Sequence, residues 1–129
     1  MHSNNWLAKY YGWKANAVLT AGYRLKAPNI IHAVAPQWFG GHNCEAELLE
    51  KCYRSIFGIV EMEGFKSVAI PAMGIGTYRW PVELATPIGV HVVKEFNAQY
   101  PAVLLRFVCF SEAVSDVYRA VIQQEHVKK

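Results

Sequence analysis

The sequence predicts an α/β fold, and three observations predict it. Short apolar runs rich in β-branched residues stand at 17–20, 29–35, 67–70 and 102–110. They alternate with longer stretches whose apolar residues recur at helical spacing, over 44–62, 82–100 and 112–124. Hydrophobic residues make up 53% and charged residues 18%, a balance that favours a packed core over disorder.

Residues 1–15 are aromatic and basic, with Trp6, Tyr10, Tyr11 and Trp13 beside Lys9 and Lys14. A short helix over Asn5 to Tyr11, capped by Asn4 or Asn5, fits them. Ala17 to Thr20 reads as a strand ended by a turn at Ala21-Gly22-Tyr23. Asn29 to Ala35 is a second strand, stopped by Pro36. Gln37 to Asn43 contains Gly40-Gly41 and reads as a loop. Asn43 is placed to cap a helix from about Cys44 to Met62, with Glu45 and Glu47 complementing its dipole. Leu48, Leu49, Cys52, Ile56, Ile59 and Val60 form its apolar face, and Gly64 ends it.

Ser67 to Ile70 reads as a strand buried on both faces. Pro81 suits the start of the next helix, Val82 to Tyr100, with Ile88, Val92, Val93 and Phe96 facing inward. Pro87 lies inside that helix and is expected to kink it or to push its regular part later. Ala102 to Phe110 is a further buried strand, and Ser111 is placed to cap a last helix from Glu112 to Gln124.

At 129 residues the chain reads as one domain. Its formal charge of +3 is scattered, the one cluster being Lys128-Lys129, so charge gives no footing for nucleic acid. No apolar run reaches the roughly 18 residues that span a bilayer. The opening residues lack the apolar core and small-residue cleavage site of a signal peptide. Three cysteines, with no close pair, point to free thiols and a reducing compartment, so a cytoplasmic location is expected.

The stretch between Ile70 and Val82 holds the chemistry. Met73-Gly74-Ile75-Gly76-Thr77-Tyr78 joins a strand to a helix, and its glycines let the backbone approach a ligand. A helix starting just beyond would aim free amides and partial positive charge at a bound anion, most simply a phosphate or diphosphate. An ordinary glycine-containing connection is the alternative. Elsewhere the residues offer little. His42, Cys44 and Cys52 match no zinc spacing, so no metal is expected, and nothing calls for an organic cofactor. His32 reads as a hydrogen-bonded core histidine. Asp116 is the only aspartate, and Glu45, Glu47, Glu50, Glu61 and Glu63 read as solvated helix faces, leaving catalytic residues unassigned. Arg79 stands where a dinucleotide fingerprint needs a third glycine.

Several blocks resemble the macrodomain family in order and spacing: Val18 to Leu25, Ile30 to Pro36, Cys52 to Ser55, Lys66 to Pro81, and Phe107 to Glu112. The resemblance implies a three-layer α/β/α domain that binds ADP-ribose, in a family with many hydrolases of ADP-ribose derivatives. By position, Gly74, Ile75, Gly76, Thr77 and Tyr78 match the diphosphate loop, with Tyr78 over the distal ribose. Arg79 replaces a usual glycine and adds a cation. Phe110 and Ser111 match the segment on the adenosine side.

Relative to the family, the opening strand, the acidic residue that holds adenine and the asparagine- and glycine-rich catalytic motifs have no counterpart. The resemblance thus implies an N-terminally truncated domain with a mixed sheet of about four strands flanked by helices. A central strand between those at Ile30 and Ser67 would be missing. A rearranged sheet with self-association through the aromatic N-terminus is the expected resolution; another chain inserted into or covering the gap, and a domain unstable alone, are the alternatives. The expected function is binding of ADP-ribose or a related nucleotide without efficient turnover. The alternatives are an active hydrolase and a structural or interaction remnant that binds nothing.

Overall fold

Strands and helices alternate in the predicted order. The computed structural model describes residues 17–21, 29–76 and 78–127. The helix expected at Asn5 to Tyr11, the turn at Gly22-Tyr23 and Thr77 lie outside the described residues. The elements are β1 (Ala17–Ala21), β2 (Asn29–Ala33), α1 (Glu45–Glu63), β3 (Ser67–Pro71), α2 (Val82–Gln99), β4 (Leu104–Val108) and α3 (Glu112–Val127).

α1 forms because Leu49, Cys52, Tyr53, Ile56, Phe57 and Val60 repeat at three- and four-residue spacing and all bury. Leu48 and Ile59, at the margins of that stripe, are half-buried. Gly64 stops the helix, its amide bonding the Val60 and Glu61 carbonyls at 2.9 and 3.3 Å. α2 packs beside α1 and α3 beside α2. Rings of Phe57, Phe96 and Tyr100 stack in sequence, with centroids 4.7 and 4.8 Å apart. At the other end, the Ala17 amide donates to Ser55 Oγ at 2.9 Å and ties β1 to α1. The Ser111 hydroxyl caps α3 by accepting the Val114 amide at 3.3 Å.

Pro87 does not push the regular part of α2 later. The helix is continuous from Val82, and the proline faces solvent. The cap of α1 also differs from expectation. Cys44, in the left-handed region at φ 59°, precedes the first turn, and no side chain caps that end. Asn43 is therefore not the cap.

The four strands are present, but they form two pairs rather than one sheet. β1 and β2 pair antiparallel, Ala17 opposite Ala33 and Ala21 opposite Asn29. β3 and β4 pair parallel, Ser67 opposite Leu104 and Pro71 opposite Val108. Among the described residues no ladder joins β2 to β3. The sheet has not rearranged to bring these edges together.

Nor are β3 and β4 buried on both faces. Val68, Ile70, Leu105 and Phe107 turn toward the helices. Ser67, Ala69 and Pro71, with Leu104, Arg106 and Val108, are exposed on the opposite face. The physical reason is that the helices supply a covering layer on one side, and no described element covers the other. His32, on β2, is exposed and is not a core residue; its Nε2 lies 2.8 Å from Thr20 Oγ1.

Candidate functional site

β3 and β4 run parallel, so their carboxyl ends lie at one edge of the pair. Two hydrogen bonds bring the exit of β2 to the same place. The Trp38 amide donates to the Tyr78 carbonyl at 2.9 Å, and Trp80 Nε1 donates to the Pro36 carbonyl at 2.7 Å. Three connections thus meet: 34–43 after β2, 72–81 after β3, and 109–111 after β4.

The loop after β3 closes on itself. The Trp80 amide reaches back to the Gly74 carbonyl at 3.0 Å, and the Arg79 amide to the Gly76 carbonyl at 2.9 Å. Its two glycines serve different ends. Gly74, at φ +87°, is buried, and a Cβ there would stand 2.8 Å from Trp80 Cδ1. Its smallness seats the buried indole, which also contacts Trp38 at a 4.9 Å centroid distance. Gly76, at φ +90°, is exposed, with nothing within 4 Å of where a Cβ would be. This position fits the expected open approach for a ligand. Arg79 also has positive φ, 68°, a region that favours glycine.

Gly74, Ile75 and Tyr78 line one end of a cavity of about 1000 Å³ that continues between β2 and β3. No residue of α2 lines it. Trp80 and Pro81 separate the glycine loop from the first turn of α2, where Glu83 already supplies a carboxylate to the dipole. The expected helix-dipole contribution to an anion site is therefore not part of the cavity wall. Phe110 and Ser111 do not line the cavity either. They follow β4 at the same edge, where Phe110 is 89% exposed.

The residues that sequence reasoning missed are those that hold the loop after β2. Glu45 is not a solvated face residue; it is 1% exposed. Its carboxylate accepts the amides of Phe39 (2.7 Å), Gly41 (3.2 Å) and Asn43 (2.9 Å). Burial pushes its carboxyl up, but the backbone amides of Asn43, Phe39, Glu45 and Gly41 outweigh that and hold it below the ordinary value. The clamp leaves Phe39 63% exposed at the same edge as Tyr78 and Phe110. The only signal in the sequence was Gly40-Gly41 shortly before an acidic first turn.

The cysteine and histidine grouping dissolves. Cys52 is fully buried, and burial pushes its thiol up to about 12. Cys44 is exposed, and its thiol is pushed up by the hydrogen bond it donates to the Glu47 carboxylate and by that residue's charge. Among the described residues no three His, Cys, Asp or Glu side chains gather to hold a metal ion. Of the titratable side chains, only those of Lys66 and Tyr78 line the cavity among the described residues.

Together these features have the architecture of open α/β domains, which take ligands beyond the carboxyl ends of their strands. The chain belongs to the Macro domain family, which matches residues 11–89. It is similar to the O-acetyl-ADP-ribose deacetylase of Salmonella gallinarum, 37% identical over 111 residues, covering 85% of this chain and 62% of the relative. A Macro domain-containing protein of Mesorhizobium japonicum is 44% identical over 110 residues, covering 82% of this chain and 61% of that relative. The chain thus spans about three-fifths of the length of the curated relatives it matches.

Among solved structures, a mutant of the Oceanobacillus iheyensis macrodomain superimposes with a TM-score of 0.84 at 27% identity, over 90% of this chain and 62% of that one. The Trypanosoma brucei macrodomain in complex with ADP-ribose superimposes with a TM-score of 0.73 at 28% identity, over 82% of this chain and 44% of that one. The α/β macrodomain fold follows from these matches.

Proposed function

We propose that this chain is a single macrodomain-like unit that binds ADP-ribose or a related phosphate-bearing nucleotide. The main-chain amides of Gly74, Ile75, Gly76 and Thr77 receive the diphosphate, and Tyr78 covers the distal ribose. Phe110 and Ser111 stand on the adenosine side. One observation carries the reading: Gly76 is exposed at φ +90° with open space where a side chain would be, in a loop tied down by Pro36 and Trp38. The relative crystallised with ADP-ribose supports the choice of nucleotide.

Binding without efficient turnover is the favoured form. No carboxylate or imidazole lines the cavity among the described residues, so no positioned group supplies the proton transfer worth roughly 10²–10⁴-fold in ordinary sites. Hydrolysis of an ADP-ribose derivative is the second reading, favoured by the deacetylase name of the Salmonella relative. The same proposal includes self-association: the aromatic N-terminus expected to carry it lies outside the described residues, and the exposed face of β3 and β4 is an apolar surface within them.

Titration calorimetry with ADP-ribose tests binding, and Gly76→Glu tests the loop. A carboxylate placed in the anion cradle is expected to abolish affinity, while circular dichroism reports an intact fold. Unchanged affinity in a folded Gly76→Glu protein removes the loop from the argument. Release of ADP-ribose from a modified protein, assayed at the same concentrations, would establish the hydrolase reading instead.

A further inference from the structure

The turn that closes the glycine loop holds a residue whose backbone and side chain are at odds. Arg79 stands at φ 68°, in the left-handed region, where a Cβ crowds the following carbonyl and glycine does not. The turn fixes that conformation from both sides. The Arg79 amide is tied to the Gly76 carbonyl at 2.9 Å, and the next amide, that of Trp80, to the Gly74 carbonyl at 3.0 Å. Nothing the side chain does within the fold offsets the strain. Arg79 is exposed, and its guanidinium has no hydrogen-bond or ion-pair partner among the described residues. A strained backbone beneath a side chain with no partner in the chain points to a partner outside it.

The charges around the loop say of what kind. The buried carboxylate at this edge, Glu45, is held in its charged form by the amides of the 39–43 loop. Glu83 adds a second carboxylate in the first turn of α2. Lys66 lines the cavity but precedes β3. The five residues of that strand, at about 3.3 Å each, set it about 16 Å from the loop, beyond the screening length of about 8 Å at physiological salt. Loop amides alone would therefore meet an anion in a field set by two carboxylates. Across the three connections that meet here, 34–43, 72–81 and 109–111, Arg79 is the one lysine or arginine. The turn closed by its amide keeps its Cα within about 7 Å of Gly76, so the reach of its side chain covers the open space beside that glycine.

We propose that Arg79 is a specificity-determining residue of this site, its guanidinium clamping a phosphate group from the solvent side while the loop amides hold that group from the other. The proposal rests on the nucleotide reading of the loop and names the part of the ligand that the arginine reads. A guanidinium presents paired N–H donors to two phosphate oxygens and keeps its charge at every working pH. Held on a turn whose geometry is already fixed, it loses little freedom on binding. The favoured ligand is therefore one with a fully charged diphosphate, and affinity follows the ligand's charge more than the shape of its sugars.

Calorimetry with ADP-ribose and, separately, with inorganic pyrophosphate tests the arginine apart from the nucleotide reading. Arg79→Gly removes the charge and relieves the backbone at once. It is expected to weaken binding of both probes at least tenfold and to flatten the loss of affinity between about 0.1 and 1 M salt. It is also expected to raise the melting temperature by about 2–4 °C. Arg79→Gln keeps the strain, so it should weaken binding equally without the thermal gain, and Arg79→Lys should retain more affinity than either. Lys51→Gln removes an equal charge from the exposed side of α1 and is expected to leave both probes bound as before. Pyrophosphate bound through Arg79, with no binding of ADP-ribose, would sustain the clamp and remove the nucleotide reading. ADP-ribose bound equally by the parent and by Arg79→Gly would leave that reading standing and overturn the clamp. A lowered melting temperature in Arg79→Gly, or an equal loss of affinity in Lys51→Gln, overturns the clamp as well. Failure of the parent to bind either probe overturns both.

Discussion

Glu45 shows how one carboxylate organises a site it does not enter. Three amides of the 39–43 loop converge on it, and the loop's preceding residues bond the Tyr78 carbonyl and the Trp80 indole. Because those amides hold its carboxyl below the ordinary value of 4.5, the sign of the pH effect follows. The folded state binds fewer protons than the unfolded state around that value, so the stabilisation is fully present above pH 4.5. It is lost as pH falls through the lower, folded value. Tryptophan fluorescence, with Trp6 and Trp13 replaced by phenylalanine so that Trp38 and Trp80 report, should show loop release with a midpoint below pH 4.5. Glu45→Gln should abolish that step and lower the melting temperature by several degrees at pH 7, since a neutral amide accepts these donors less strongly. A midpoint at or above 4.5, or an unaltered step in the variant, would refute the assignment.

At the scale of elements, the helices were legible and the pairing of strands was not. The α1 stripe from Leu49 to Val60, the stop at Gly64 and the Ser111 cap are local, written within a few residues of where they act. Glu45 was misread because an acidic first turn looks the same whether it faces water or a folded-back loop. Gly74 was read as room for a ligand, but the neighbour that needs its smallness is Trp80, which only the closed loop brings there. Val68-Ala69-Ile70 looked buried on both faces because a small alanine at the exposed position does not break an apolar run. The nucleotide-loop positions and the gap between the strands at Ile30 and Ser67 were legible only by resemblance, since strand pairing is non-local.

Helix contact sets its own sharp condition. A Cβ on Gly89 would stand 2.6 Å from Tyr53 Cζ and Oη, in a ring that is fully buried. In a free helix, alanine would gain about 1 kcal/mol over glycine. Here overpacking costs about 1–3 kcal/mol, and α1 must move from α2 to relieve it. Gly89→Ala is therefore expected to lower the urea midpoint, with a net loss of up to about 2 kcal/mol. A raised midpoint would mean that the two helices are not in contact at this residue.

For the molecule as a whole, one layer of helices covers strands that have two faces. Leu104 and Val108, 52% and 49% exposed, flank Arg106 on the uncovered face beside Ala69 and Pro71. An apolar strip of this kind favours association of copies, while Arg106 meeting Arg106 across a two-fold contact opposes it. Salt screens that repulsion, with a Debye length falling from about 10 Å at 0.1 M to about 3 Å at 1 M, and leaves apolar burial intact. Association should therefore strengthen with ionic strength, the reverse of an interface held by ion pairs. Sedimentation velocity should show the average mass rising with protein concentration, more steeply at 1 M than at 0.1 M salt. Replacing Leu104 and Val108 together by lysine should return the protein to monomer with its helical signal intact. A mass independent of concentration at both salts would show that the exposed strip is tolerated by a monomer.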